Sequence, residues 1–279
     1  MHSHGQQQPQ KIAIPGVKHV VAVASGKGGV GKSTVAANLA LSLLMQGRRV
    51  GLLDADIYGP SVPIMMGVNQ VWDPNDPNTD MSVFPIEKYG LKLMSMGFWV
   101  KPETAMIWRG PMVAKYLTIF LTQIPWGELD YLVIDLPPGT GDAQLTLTQT
   151  APLSGAVIVT TPQDVSLIDA RKGLEMFRRV NVPVLGIVEN MSYFMGADGK
   201  RYEIFRHGGG KKLALEAGVP FLGEIPIDPQ VAESGDAGEP IVHRLPDHTV
   251  SKAYLSLAGV VSEQIGKMGA PTELPGLQL

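Results

Sequence analysis

The chain has 279 residues, of which 23 are Lys or Arg and 26 are Asp or Glu, so its formal net charge is −3. At 44% hydrophobic residues it is not mainly disordered, and its mild acidity argues against non-specific nucleic-acid binding, which depends on neutralising phosphates. The sequence contains no cysteine, which excludes disulfides, thiolate nucleophiles and iron–sulfur clusters held by the chain's own thiolates.

The sequence also indicates where the protein works. Its first residues, Met1–Gln8, are polar and lack the apolar region of a secretory signal. No stretch approaches the ~18 consecutive apolar residues that a membrane-spanning helix needs. We therefore expect a soluble, cytoplasmic protein with neither a membrane nor a nucleic acid as partner.

Apolar segments in chain order predict a parallel sheet. Short, nearly continuous apolar runs are typical of strands that are buried on both faces. The predicted strands are His19–Ser25, Val50–Asp54, Tyr131–Asp135, Gly155–Thr160, Val184–Val188 and Phe221–Ile225. The helical candidates between and after them are Ser33–Gln46, Pro111–Thr122, Asp142–Gln149, Ser166–Arg179, Gly210–Ala217 and Thr249–Lys267.

This alternation favours an α/β fold, a doubly wound and mostly parallel sheet with helices on both faces. We expect one domain over residues 17–268, with flexible tails at 1–16 and 269–279. Residues 67–90 form a long polar insertion in this interpretation. His2 and His4 lie in the first tail, where two histidines indicate a solvated segment more than a metal site.

A phosphate-binding loop is predicted between the first strand and the first helix. The pattern G-x-x-x-x-G-K-[ST] is matched by Gly26, Lys27, Gly28, Gly29, Val30, Gly31, Lys32 and Ser33, with Thr34 following. Its glycines let successive backbone N–H groups point at phosphate oxygens, and the helix presents its positive N-terminus to the same anion. Lys32 adds a charge for the β and γ oxygens, and the Ser33 hydroxyl is placed to ligate Mg²⁺.

A second lysine lies inside this loop, at Lys27. An ordinary phosphate loop needs no cation there, and the loop already wraps its own phosphates. One interpretation is that Lys27 reaches across a dimer interface to a nucleotide on the partner. The alternative is a solvated surface lysine.

Carboxylates at the ends of two predicted strands complete the site. Asp54 and Asp56 lie at the carboxyl end of the second strand, where ligands gather in open α/β sheets. Asp135 is a Walker-B-type carboxylate for Mg²⁺, and the glycine-containing segment 136–142 after it suits a loop that senses the γ-phosphate. The alternative for each carboxylate is a structural helix cap.

These motifs together resemble the deviant-Walker-A ATPases, which include MinD, ParA and the nitrogenase iron protein. More narrowly, the chain is similar to the Mrp/ApbC branch of ATP-binding iron–sulfur cluster carriers. The segments that carry the resemblance, besides the phosphate loop, are Asp54–Ser61, Met94–Gly97, Trp108–Pro111, Asp130–Asp142, Thr161–Asp164 and Glu189–Ser192.

The resemblance implies an ATP-hydrolysing, nucleotide-sandwich homodimer. Lys27 would act in trans and Lys32 in cis, and Asp56 would orient the attacking water. Mg²⁺ would be held at Ser33, with Asp56 and Asp135 beside it. Asn190 would read the adenine edge, since an amide offers both a donor and an acceptor.

One part of the family pattern is missing. After the segment Asn190–Phe194, the family usually carries a Cys-x-x-Cys pair that holds a [4Fe–4S] cluster across the dimer. Gly196 and Gly199 lie at or near those two positions here. Asp198 and His207 are then the local candidates for iron ligands, against the alternative of ordinary loop and surface residues.

The leading hypothesis is therefore a slow ATPase that assists iron–sulfur cluster assembly or transfer, with scaffold or acceptor apoproteins as partners. The alternative is a MinD- or ParA-like ATP-gated switch that recruits a protein and has no cluster role. Residues 269–279 contain no Lys or Arg and do not supply the basic amphipathic helix that a MinD-like membrane anchor needs. A reductase like the nitrogenase iron protein is excluded without cysteine ligands.

Overall fold

The computed structural model describes residues 13–57, 59–68, 84–98 and 110–269, with the backbone alone for 110–115 and 142. The strands are β1 Val17–Ser25, β2 Val50–Asp54, β3 Ile86–Lys88, β4 Leu91–Ser95, β5 Leu129–Asp135, β6 Gly155–Thr160, β7 Val184–Met195, β8 Arg201–Tyr202 and β9 Phe221–Ile227. The helices are α1 Lys32–Met45, α2 Val62–Met65, α3 Gly110–Thr122, α4 Asp142–Thr150, α5 Asp164–Arg179, α6 Gly209–Ala217, α7 Pro229–Asp236, α8 Ile241–Arg244 and α9 Thr249–Lys267, with a 3-10 turn at Met96–Phe98.

These strands form one sheet in the order β3-β4-β2-β5-β1-β6-β7-β8, and β9 pairs with β7. Neighbours are parallel except for the pairs β3–β4 and β7–β8. Asp54 at the end of β2 is in register with Asp135 at the end of β5, and Val23 of β1 pairs with the same Asp135. The sheet therefore brings both carboxylates to the carboxyl ends of its central strands, beside the loop that joins β1 to α1.

The core lies between the sheet and its helices. Every residue of β2 and β6 is buried, so both faces of the sheet are covered. Helix α1 packs on β1, β2 and β5 and against α9, and its small buried residues Val35, Ala36 and Ala37 allow a close approach. None of the described helices has the length and apolar character needed to cross a membrane.

The predicted α/β architecture is confirmed, but four strands, β1, β5, β7 and β9, were predicted too short, β7 by the most, and β3, β4 and β8 were not predicted. The apolar run that ends at Val188 is the first part of β7, which continues to Met195 through Glu189 and Asn190. Pairing with β9 and β8 holds this polar second half in the sheet, because backbone hydrogen bonds form whatever the side chains are.

Two predicted segment boundaries meet the described residues only in part. Part of the expected polar insertion 67–90 is strand β3, and residues 69–83 lie outside the described residues. In the predicted first tail, Ile14 is buried in the core, and the Gly16 carbonyl accepts a hydrogen bond from the Leu129 amide. Residues 1–12 and 270–279 lie outside the description, so the domain boundaries stay predictions.

Candidate nucleotide-binding site

The predicted phosphate loop connects β1 to α1. Gly31 is the N-cap of α1 with a φ of 78°, in the left-handed region that favours glycine. No side chain caps this helix, and its first turn contains no acidic residue. Its first N–H groups and its positive end are therefore available to an anion.

Asn190, at the carboxyl end of the apolar part of β7, touches this loop. Its amide Nδ2 donates to the Val30 carbonyl at 2.8 Å, and its side chain is buried. A Cβ atom on Gly31 would lie 2.3 Å from the same Nδ2 atom, so only glycine fits between the loop and β7. Asn190 thus ties β7 to the phosphate loop, and its predicted role in reading adenine stays a prediction.

Lys32 is the buried cation of the site. Its Nζ lies 2.5 Å from Asp135 Oδ1, 3.9 Å from Asp56 Oδ2 and 3.2 Å from the Ser33 hydroxyl. Burial raises the pKa of Asp135, and the Lys32 ammonium opposes that rise. The structure therefore brings four of the predicted site residues together around one charge.

Asp135 has further capacity to bind a cation. Its second oxygen, Oδ2, is buried and has no hydrogen-bond donor among the described residues. A buried carboxylate oxygen without a partner is costly, and oxygen ligands are those that Mg²⁺ prefers. The predicted magnesium ligands Ser33, Asp56 and Asp135 thus fit a hard divalent cation.

Asp54 has a structural role that the sequence left open. Its carboxylate accepts hydrogen bonds from the Asp56 amide at 3.1 Å, the Val62 amide at 3.3 Å and the Ser95 hydroxyl at 2.9 Å. Burial, followed by the charge of Asp135, raises the pKa of Asp54 to about 8. Asp54 therefore holds the loop that carries Asp56. The link to Ser95, 41 residues further along the chain, left no local signal in the sequence.

Lys27 differs from Lys32 in its surroundings. It is half-buried, and its backbone carbonyl accepts from the Ser25 hydroxyl at 2.8 Å. None of the described residues hydrogen-bonds or ion-pairs with its ammonium group. Gly28 and Gly29 beside it are exposed, with open space where a Cβ would stand. This part of the loop is thus accessible to a second molecule.

Comparison with known proteins identifies the architecture. A family model described as "ParA: NUBPL iron-transfer P-loop NTPase" matches residues 16–262. The chain belongs to this family.

Individual relatives are similar to this chain over most of its length. An iron-sulfur cluster carrier protein of Aquifex aeolicus is 55% identical over 263 residues, covering 93% of this chain and 72% of that protein. An iron-sulfur cluster transfer protein NUBPL of Dictyostelium discoideum is 48% identical over 265 residues, covering 94% and 81%.

Solved structures share the fold. A nucleotide-binding protein of Archaeoglobus fulgidus, in complex with ADP and with Co, has 41% identity and a TM-score of 0.67, covering 80% of this chain and 87% of that one. The cell division ATPase MinD of Pyrococcus furiosus has 22% identity and a TM-score of 0.66, covering 88% and 99%, and shows the same fold. This member of the NUBPL family is thus a P-loop NTPase with a MinD-like sheet.

The hairpin of β7 and β8 occupies the place of the missing cysteines. The Gly196 amide donates to the Lys200 carbonyl, and the Gly199 amide donates to the Gly196 carbonyl. A Cβ on Gly196 would lie 2.6 Å from the Tyr202 ring, and Gly199 has a φ of 74°. The turn is therefore built for glycine, and an iron–sulfur cluster does not fit its residues as a ligand set.

The two predicted substitutes for cysteine, Asp198 and His207, do not share a site. Asp198 accepts from the Lys200 amide at 3.0 Å and the Tyr202 hydroxyl at 2.9 Å, and these hydrogen bonds lower its pKa. His207 instead lies with Glu189 and Glu224. Sequence reasoning missed Glu224, although a carboxylate inside the apolar run of β9 was a signal.

Proposed function

We propose that this NUBPL-family chain is an ATP-hydrolysing homodimer that assists iron–sulfur cluster assembly or transfer in the cytoplasm. The ATPase activity in this proposal is supported by one observation: Lys32, Asp56 and Asp135 lie together beside the uncapped N-terminus of α1. The carrier part is supported by relatives named iron-sulfur cluster carrier proteins.

Each residue of the site has a task in this proposal. Backbone N–H groups of residues 26–33 cradle the phosphates, and Lys32 shifts part of its contact from Asp135 to the β and γ oxygens. Ser33, Asp56 and Asp135 would hold Mg²⁺, which neutralises charge on the phosphates when bound. Asp56 orients the attacking water, and Asp54 fixes the Asp56 backbone through its amide.

In a dimer, Lys27 of one subunit would supply a second cation to the nucleotide of the other subunit. The Lys27 ammonium group has no hydrogen-bond or ion-pair partner among the described residues and lies in an accessible part of the loop, so it suits a contact with the nucleotide of the other subunit. Hydrolysis would be slow until that contact forms, since catalysis of phosphoryl transfer is mostly positioning and charge stabilisation.

A mixing experiment tests this arrangement. A Lys27→Ala protein and a Lys32→Ala protein are each expected to hydrolyse little ATP. Their heterodimer contains one composite site with both lysines intact, so mixing should restore part of the wild-type turnover. If heterodimers form, as shown by differently tagged subunits, and turnover stays at the level of the separate variants, the role in trans is wrong.

The cluster would be bound through another molecule. The chain has no thiolate, and iron–sulfur clusters are ordinarily held by cysteine. We therefore expect no stable [4Fe–4S] cluster on the purified protein after anaerobic reconstitution and desalting. Transfer from a cysteine-bearing scaffold to an acceptor apoprotein should instead accelerate with ATP. Stoichiometric iron and sulfide that co-elute with the protein alone would contradict this view.

The second candidate is an ATP-gated switch that recruits a protein partner and handles no cluster. The observation that favours it is the glycine turn at Gly196 and Gly199, which removes the ligand pair and leaves the nucleotide site intact. ATP-dependent transfer that is absent with every scaffold tested, together with retained ATPase activity, would favour this candidate.

A further inference from the structure

A second group of potential ligands lies where the middle of β7 pairs with the middle of β9. Glu189 is on β7, Glu224 is on β9, and His207 lies two residues before α6. One ligand atom from each of the three lies within 4.8 Å of the others. His207 Nδ1 is 3.6 Å from Glu224 Oε1 and 4.0 Å from Glu189 Oε1. Atoms that bind one ion at about 2.1 Å lie about 3.0–3.4 Å apart, so small side-chain shifts would suffice.

Two of these ligands already converge on a cationic group. The Arg201 guanidinium Nη2 lies 2.6 Å from His207 Nδ1 and 3.0 Å from Glu224 Oε2. Arginine is always a donor, so Nδ1 accepts and has its lone pair directed at the cation. A neutral imidazole with an unprotonated Nδ1 is the form that ligates metals. Two of the three potential ligands therefore already face a positive charge.

Glu189 is the fixed member of the group. Its side chain is fully buried and accepts from the Ser192 hydroxyl at 2.6 Å and from the Gly208 and Gly210 amides at 3.1 and 2.5 Å. These bonds place the carboxylate at the start of α6 and hold its orientation. Ligands that are oriented by hydrogen bonds to their surroundings bind metal more tightly.

Arg201 is the cation that a bound metal ion would displace. It lies on the two-residue strand β8, its side chain is 36% exposed, and its guanidinium stacks on the Tyr193 ring at 3.9 Å. Two carboxylates carry a charge of −2, and one guanidinium balances half of it. A divalent ion would balance all of it, with Arg201 displaced into solvent.

We propose that Glu189, His207 and Glu224 bind a divalent first-row transition metal ion, and that Arg201 competes for the same position. A set of one imidazole and two carboxylates suits ions such as Co²⁺ and Zn²⁺. The site is distinct from the predicted magnesium ligands and needs no thiolate. The proposal does not depend on the ATPase or carrier function.

Binding of Co²⁺ to the full chain tests the site. Every protein carries His2→Ala and His4→Ala to remove two tail imidazoles, and excess Mg²⁺ with ADP occupies the phosphate-loop carboxylates. Titration should show one equivalent of Co²⁺ with visible d–d absorption bands. His207→Ala and Glu224→Gln should each weaken binding about tenfold or more, because each removes a ligand. Asp198→Asn, a carboxylate of the same hairpin outside the group, should leave binding unchanged.

The decisive variant is Arg201→Ala. If Arg201 competes with the metal ion for this position, the variant should bind Co²⁺ more tightly, by about threefold or more. A merely structural ion pair would give the opposite sign or no change. Unfolding by heat, followed by circular dichroism, checks that each variant is folded, and bound metal should raise the midpoint of the wild type. Absent binding at 100-fold excess Co²⁺, or binding that neither His207→Ala nor Glu224→Gln weakens, would overturn the site. Unchanged binding in Arg201→Ala would overturn the competition.

Discussion

Two regions of the same sheet, its phosphate-loop end and its hairpin end, each place a basic side chain beside a carboxylate, and these ion pairs differ in burial. At the ends of β2 and β5, Lys32 and Asp135 are almost inaccessible, with side chains 6% and 0% exposed. Beside the β7–β8 hairpin, the side chains of Arg201 on β8 and Glu224 on β9 are 36% and 22% exposed. Each residue of the first pair belongs to a sequence motif, whereas neither Arg201 nor Glu224 belongs to one.

This difference in burial implies a difference in energy. Breaking a buried ion pair leaves an uncompensated charge and typically costs about 3–5 kcal/mol, whereas an exposed pair contributes about 0–1 kcal/mol. The phosphate-loop end is therefore expected to be rigid and sensitive to substitution. The hairpin end is expected to tolerate changes and exchange its cation.

The largest predicted effect is at Lys32. Lys32→Ala should lower the free energy of unfolding by about 3 kcal/mol, because Asp135 loses its buried partner, and should reduce ATP affinity at least 100-fold. Urea unfolding and nucleotide titration measure the two quantities. Lys27→Ala, in the same loop but half-buried, is the matched control and should change the stability by less than about 0.5 kcal/mol. Equal destabilisation by both substitutions would remove the distinction between the two lysines.

Asp56→Asn tests chemistry at the same end of the sheet. Asparagine keeps the shape and loses the charge, so ATP should still bind while turnover falls about 100-fold, as for loss of one stabilising group in an active site. Single-turnover hydrolysis with saturating ATP separates binding from chemistry. Turnover at the wild-type rate would show that Asp56 is only structural.

Asp54 predicts a dependence of stability on pH. Its pKa is about 8 in the fold and about 3.9 when unfolded, so the folded state binds the additional proton between these values. The stability from this group is complete below pH 4 and decreases as the pH rises towards 8. Asp54→Asn cannot titrate, so its unfolding free energy should fall less than that of the wild type from pH 6 to pH 8, by about 2 kcal/mol.

The control for that measurement is Asp198→Asn. Hydrogen bonds from the Lys200 amide and the Tyr202 hydroxyl lower the pKa of Asp198, so its carboxylate stays ionised and contributes no change of stability between pH 6 and pH 8. Unfolding curves in urea at several pH values give the slope of the unfolding free energy against pH for each protein. Parallel slopes for the wild type and Asp54→Asn would contradict the prediction.

The smallest effect is expected at the hairpin. Gly196→Ala places a Cβ against the Tyr202 ring and should lower the stability by about 1–2 kcal/mol. Gly266→Ala in α9 meets nothing within 4 Å and should raise it by up to about 1 kcal/mol, because alanine favours a helix. Thermal unfolding distinguishes the expected loss of stability in Gly196→Ala from the expected gain in Gly266→Ala. A Gly196→Ala protein as stable as the wild type would show that the turn adapts to a side chain.

Most of the sheet and the phosphate loop were predictable because their signals are local. The apolar run Val50–Asp54 is β2 without any change of boundary, and Gly31 and Lys32 belong to one contiguous motif. The second half of β7 was not predictable, since Glu189 and Asn190 interrupt the apolar run and the strand depends on its neighbours.

The same reason limits prediction of the sites. Ser95 reaches Asp54 across 41 positions of the chain, and Arg201 reaches Glu224 across 23. A single sequence does not show such pairs, because they depend on how parallel strands are ordered. Lys32 and Asp135, 103 positions apart, were predictable together only because each belongs to a motif of its own.

Strand β7 connects the phosphate loop to the hairpin, and its backbone is irregular between them. Asn190 contacts the phosphate loop, and the next residue, Met191, has a φ of 53°, where the pairing with β9 is also irregular. The hairpin turn at Gly196 begins five residues further along, about 16 Å at 3.3 Å per residue. A rotation of about 10° at Met191 would therefore move the turn by about 3 Å, so a small change beside the nucleotide loop would be enlarged at the hairpin.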